Sequence, residues 1–130
     1  MKLKRVHGGR WDVLAVCGPR GDCPLLELLA GLEAQLVTDG RAMLRLLSFV
    51  AEQGPPRNVD ISHKLSGDIW ELIAGRLRVL WFYDEGRLVV CSHAFVKRTR
   101  KTPAGEIARA QASYEAYRAA KAAKSLKLED

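Results

Sequence analysis

The sequence predicts an α+β domain in which helices cover an antiparallel sheet. Three patterns predict it. Leucines recur at helical spacing between Leu25 and Leu36. Three apolar runs between Ile69 and Lys97 are separated only by Ala74-Gly75 and Glu85-Gly86, the length and type of tight hairpin turns. A long helical pattern then runs from Pro103 to about Ala123. The expected order is an N-terminal strand, a helical hairpin, a three-stranded antiparallel meander completing the sheet, and a C-terminal helix.

The chain of 130 residues reads as one domain, long enough to bury a core. Residues 1–10 read as a loose arm ending in Gly8-Gly9. Trp11 to Val16 is rich in strand formers and reads as a strand. Gly18 to Asp22 is a turn, and Asp22 is placed to cap a helix opened by Pro24, with Glu27 in its first turns. Leu25, Leu28, Leu29, Leu32 and Leu36 form one apolar stripe. Thr38-Asp39-Gly40 breaks the pattern. A second helix follows from about Arg41 to Glu52, with Met43, Leu46, Leu47 and Val50 inward. Gly54-Pro55-Pro56 ends it, and Arg57 to Gly67 reads as irregular.

Ile69 to Ala74, Arg76 to Asp84 and Arg87 to Lys97 read as the meander. If both turns are two residues long, the register follows by counting. Glu71 then faces Arg78, Arg78 faces His93, and Arg76 faces Phe95. Alternation assigns the faces. Trp70, Leu72, Leu77, Val79, Trp81, Tyr83, Val90, Ala94 and Val96 lie on one side, toward the helical hairpin. Glu71, Arg76, Arg78, His93, Phe95 and Lys97 lie on the other, beyond an apolar end of Leu80, Phe82, Val89 and Cys91. The C-terminal helix is the element left to cover that apolar end. Thr102 is placed to cap this helix, and Ile107, Ala110, Tyr114 and Tyr117 share one side of it. The charged tail from Lys124 to Asp130 is expected to fray.

The net charge of +6 is unevenly placed. Residues 1–60 carry 8 Lys/Arg against 7 Asp/Glu, and residues 61–130 carry 13 against 8. A basic C-terminal half favours an anionic partner. Cys17, Cys23 and Cys91 match no zinc or redox spacing. No targeting segment is read and no apolar run approaches a membrane span, so a cytoplasmic protein with reduced thiols is expected. Phosphate-loop, dinucleotide and nucleophile-elbow motifs are absent, and neither a metal nor a cofactor is expected.

The basic surplus peaks at Lys97, Arg98, Arg100 and Lys101, four cations within five residues and directly after His93-Ala94-Phe95-Val96. RNA is cleaved by such groups when a 2′-hydroxyl attacks the adjacent phosphate. A base accepts its proton, cations stabilise the phosphorane, and an acid protonates the leaving oxygen. Arg78 and Lys97 can supply the charge, and His93 the acid or base. Phe95 can stack on a base, while Lys64, Arg76, Arg98, Arg100 and Lys101 hold phosphates. Each also has an ordinary role. Arg78 can be a cross-strand partner of Glu71, His93 a structural histidine, and Phe95 plain core. Their coincidence on one face beside the basic run favours a nucleic-acid site.

The stretches Leu65-Ser66-Gly67-Asp68-Ile69-Trp70-Glu71-Leu72, Gly75 to Phe82, and His93 to Pro103 together resemble the RelE/ParE toxin superfamily, in its phage-derived HigB-like branch. The order and spacing of these motifs carry the resemblance over roughly residues 60–120. It implies a toxin of a type II toxin–antitoxin system that cleaves mRNA on the ribosome and inhibits translation, without a metal. It also implies a helix-turn-helix antitoxin as partner, and operator DNA contacted through that complex. By position, Arg78 matches the family's strand arginine, Lys97, Arg98 and Lys101 its basic motif, and His93 and Phe95 its "H-x-F" pair. Ile73 stands where the family often has arginine, and Leu77 where tyrosine usually precedes Arg78. Two other readings stay open: the gyrase-poisoning ParE mode, and a non-catalytic module that binds nucleic acid or antitoxin.

Overall fold

Alternating apolar residues from Ser62 to Val96 build a four-stranded antiparallel meander, one strand more than the sequence predicts. The computed structural model describes residues 1–130. Its strands are β1 (Lys2–Gly8), β2 (Asp12–Val16), β3 (Ser62–Ser66), β4 (Ile69–Ala74), β5 (Leu77–Asp84), β6 (Leu88–Val96) and β7 (Lys127–Glu129). Its α-helices are α1 (Pro24–Ala30), α2 (Val37–Gln53) and α3 (Ala104–Ala122). All strands join one sheet in the order β3-β4-β5-β6-β2-β1-β7. Within it β2 runs parallel to β6, and β7 parallel to β1. No helix is long and apolar enough to cross a membrane.

The sheet is covered on both faces, as the alternation requires. On one side Met43, Leu47 and Val50 of α2 and Leu25 of α1 pack on Val13, Leu72, Val79 and Trp81. On the other, Ala110 and Tyr117 of α3 pack on Leu14, Ile69, Leu80 and Phe82. The Phe82 ring meets Tyr114 edge-on at 5.0 Å between centroids. The far end of α3 is tied to β5 by Asp84, which accepts hydrogen bonds from Tyr117 Oη at 2.5 Å and Lys121 Nζ at 2.9 Å. Burial pushes the Asp84 carboxyl up, but these donors and the Glu85 N–H outweigh it and hold the group below its ordinary value.

Both termini depart from expectation. Residues 1–10 are not a loose arm but supply β1, and the tail supplies β7. Polar side chains at Lys2, Lys4, Arg5 and His7 hide this strand in the sequence, since only Leu3 is deeply buried. The ladder is formed by backbone groups, which pair whatever the side chain. The open edge of β2 thus takes up β1, and β1 takes up the wholly exposed β7.

The helical half differs in its break. The first helix ends at Gly31, a 3₁₀ turn at Ala34–Leu36 follows, and α2 begins at Val37 and runs through Gly40. Gly40 marks close packing rather than a turn, because a Cβ there would collide with Leu32. The predicted hairpin is therefore two helices on one sheet face, with their connection folded back onto α2. Asp22 does not cap α1; the N-cap is Cys23, without a side-chain cap bond.

Both hairpin registers also move. The first turn is Gly75-Arg76 rather than Ala74-Gly75, with Gly75 in the left-handed region at φ 58°. Glu71 therefore faces Leu80, and Ile73 faces Arg78. A two-residue shift preserves the faces. The second turn has three residues, Glu85 to Arg87, with Gly86 and Arg87 at φ 79° and 59°. Asp84 then faces Leu88, and Trp81 faces Cys91, which places Val89 and Cys91 under α1 and α2 and turns Val90 toward α3. These three positions reverse their predicted sides. A bulge at Ser92 restores the parity, so that Leu80 faces His93 and Arg78 faces Phe95.

Candidate functional site

Glu71 lies mid-strand on β4, beside His63 of β3 and Leu80 of β5, with 1 % of its surface exposed. A buried carboxylate is costly unless its oxygens find partners. Thr102 Oγ1 donates to Oε2 at 2.6 Å. Arg78 Nε lies 3.4 Å from Oε1, and His63 Nε2 3.7 Å from it. Three segments far apart in sequence thus converge on one side chain. Thr102 does not cap α3, whose N-cap is Pro103; it ties the basic loop to the sheet instead.

Arg78 is held from both ends. Its Nη1 donates to the carbonyls of Gly75 at 2.7 Å and Leu77 at 2.9 Å, and its Nε faces Glu71. These contacts do not use Nη2. The expected direct pairing with His93 does not occur, because the register places Phe95 opposite Arg78.

Arg76 and Lys97 meet at the end of the β5–β6 ladder. The Arg76 N–H donates to Asp39 Oδ2 at 3.0 Å, and its carbonyl accepts the Lys97 N–H at 2.8 Å. Arg98, Arg100 and Lys101 follow, all exposed, on the loop to α3. Thr99 Oγ1 steadies this loop by donating to the Lys101 carbonyl at 2.7 Å. Arg76, Lys97, Arg98, Arg100 and Lys101 form no ion pair. Charge without internal partners, on a loop anchored at Thr102, is suited to an external anion.

Three expected members stand elsewhere. His93 lies on the predicted face but is only 1 % exposed, because α3 docks over it. Its Nδ1 meets Ser92 Oγ at 2.9 Å, Ser92 meets Ser113 of α3 at 2.8 Å, and its Nε2 lies 3.5 Å from Glu106 Oε1. Burial, with the nearby Arg109 charge, pushes its pKa down to about 4. Phe95 is 8 % exposed in the core beneath α3, with its ring 5.9 Å from that of His93, so it offers no free face to a base. Lys64 pairs with Trp70 and therefore belongs to the opposite sheet face. What separates these residues from the basic loop is α3 docking in two cases and strand alternation in the third.

The side chain that sequence reading missed is His63. Reading Arg57 to Gly67 as irregular removed any register for it. In the strand from Ser62 to Ser66 the register shifts between Lys64 and Ser66, and this irregularity, which counting back from the turn would miss, sets His63 rather than Lys64 across from Glu71. Its side chain is 36 % exposed, and its Nδ1 lies 3.1 Å from the Val59 carbonyl. It is the accessible imidazole beside the Glu71–Arg78 pair.

The family described as Phage derived protein Gp49-like (DUF891) has a model that matches residues 29–115. None of the curated proteins compared with the chain matches it. The matched span runs from α1 into α3 and takes in Glu71, Arg78 and the whole basic loop. By this match over most of its length, the chain belongs to the Gp49-like family of phage-derived proteins.

Proposed function

We propose that this protein is a toxin of a type II toxin–antitoxin system that cuts mRNA on the ribosome and so inhibits translation. The observation that carries the reading is the group of five unpaired cations, Arg76, Lys97, Arg98, Arg100 and Lys101, anchored beside the Glu71–Arg78 pair. The resemblance of these motifs to RelE- and HigB-like toxins, and membership of a phage-derived family, support it. In this reading the loop holds the mRNA backbone, and Arg78 and Lys97 stabilise charge that develops on the phosphorane. His63 moves the proton at Nε2, taking it from the 2′-hydroxyl and returning it to the leaving oxygen, since its Nδ1–H is engaged by the Val59 carbonyl. A helix-turn-helix antitoxin is the proposed partner in the resting cell, with operator DNA bound through that complex.

Expression alone in bacterial cells tests this. Growth should arrest, and primer extension should show breaks within translated messages. Lys97→Ala should restore growth and reduce breakage by at least about tenfold, the loss expected for one stabilising cation. Arrest with intact messages and a DNA-damage response would instead indicate the gyrase-poisoning mode. A second reading is favoured by the burial of His93 and by the carbonyls that occupy Arg78 Nη1. It is a non-catalytic module that binds nucleic acid with its antitoxin, and it requires that expression alone leave growth unchanged.

A further inference from the structure

On the sheet face opposite Glu71, a cleft of about 630 Å³ opens between the end of α2 and strands β3, β4 and β5. Trp11, Trp70 and Tyr83 supply aromatic surface to it, and Gln53, Arg57, Ser62, Lys64 and, at its β3 edge, His63 supply polar groups. No carboxylate lines it. The rings are already fixed. Trp70 stacks on Trp81 at 5.5 Å between centroids, and Tyr83 stands edge-on to Trp70 at 5.6 Å. Trp11 lies 6.0 Å from Tyr83. Packed rings lose little freedom when a flat ligand settles on them. Even so, Tyr83 is 41 % exposed, a large aromatic left open to solvent.

Two further observations point to a ligand. Ser62 is 4 % exposed, and its buried Oγ has no hydrogen-bond partner within the protein. A buried hydroxyl left without a partner is uncommon and calls for one from outside. Arg57 and Lys64 are exposed and form no ion pair, so the cleft's charge is uncompensated.

We propose that this cleft binds one unstacked nucleotide of a single RNA strand, its base against Trp70 and Tyr83 and its phosphate on Lys64 and Arg57. Aromatic surface joined to cations and a hydroxyl is the recognition chemistry of an unpaired nucleotide. A duplex does not fit, since its bases stay stacked. The choice of RNA over DNA rests on the reading of the basic loop as an mRNA surface. Adjacent residues of edge strand β3 connect the two sites: His63 pairs across from Glu71, and Lys64 across from Trp70. A strand crossing this edge touches both faces, so the cleft would hold the message to one side of the cut.

Tryptophan fluorescence tests the inference without reference to cleavage. Full-length protein is titrated with AMP, with an eight-nucleotide single-stranded RNA, with DNA of the same sequence, and with the RNA duplex. AMP and single-stranded RNA should quench, and the duplex should bind no more tightly to wild type than to the variants below. Arg57→Ala with Lys64→Ala should weaken single-stranded RNA about tenfold or more, and Tyr83→Ser should do the same through lost stacking. Thermal unfolding of each variant separates lost binding from lost folding. Absence of quenching by AMP at millimolar concentration, or unchanged RNA affinity in the folded double variant, overturns the site. Equal affinity for the DNA strand overturns the assignment to RNA. Because AMP quenching does not involve Arg78, it should persist in Arg78→Ala, and so the cleft and the cutting site fail or hold separately.

Discussion

Arg78→Ala should lower mRNA cleavage by at least about 100-fold, the scale of losing one preorganised charge-stabilising group. Its guanidinium is set by the Gly75 and Leu77 carbonyls and by Glu71, so the charge is in place before a phosphate arrives. The same substitution should also cost stability, because it removes the nearest cation from a carboxylate that is 1 % exposed. Breaking a fully buried pair costs about 3–5 kcal/mol, and the partial exposure of Arg78 places the cost below that range. Chemical denaturation measures one effect and primer extension the other. Glu71→Gln combined with Arg78→Ala separates them. The amide still accepts the Thr102 hydroxyl and leaves no buried charge, so stability should return while cleavage does not. Recovery of cleavage in the double variant would reduce Arg78 to a structural role.

Stability should also fall by about 3 kcal/mol as pH drops from 6.5 toward 4, through His93 alone. Burial beneath α3, helped by Arg109, lowers this imidazole from 6.5 to about 4. The unfolded chain therefore binds a proton at a pH where the folded chain does not. The contribution is present in full above pH 6.5 and is lost progressively below it. Glu106 also faces the ring, at 3.5 Å from Nε2, and Ser92 and Ser113 complete its polar surroundings. Asp84 contributes in the same direction but in a lower window, since its carboxyl is held below its ordinary value of 3.8. Urea denaturation at pH 7 and pH 5 checks this. His93→Gln keeps a side chain able to meet Ser92 and should flatten the dependence over that interval. Equal pH slopes in both proteins would show that His93 titrates as a free imidazole and that α3 does not seal it.

The two sheet faces were legible in the sequence because alternation survives errors of register. The first turn moved by one residue, which shifts the register by two, so Glu71 and Arg78 kept their side. The second turn was longer by one, which turned Val89, Val90 and Cys91 over, and the Ser92 bulge then returned His93 and Phe95 to the expected side. No local pattern announces such a bulge. The burial of His93 and Phe95 was hidden for a different reason: it depends on how far α3 lies over the sheet, a matter of packing rather than period. Strand β1 was hidden because its ladder is held by backbone groups beneath mostly polar side chains. The basic loop was legible outright, since four cations in five residues need no fold to be seen. Its anchor was not, because Thr102 and Glu71 are joined only once α3 docks.

The most direct measurement is cleavage of a defined message by purified protein, with and without ribosomes stalled on that message. Discrete breaks within the coding region that appear only when ribosomes are present, and vanish with Arg78→Ala, are the expected result. Intact message on the ribosome, at protein concentrations that arrest growth in cells, would contradict an mRNA-cutting toxin.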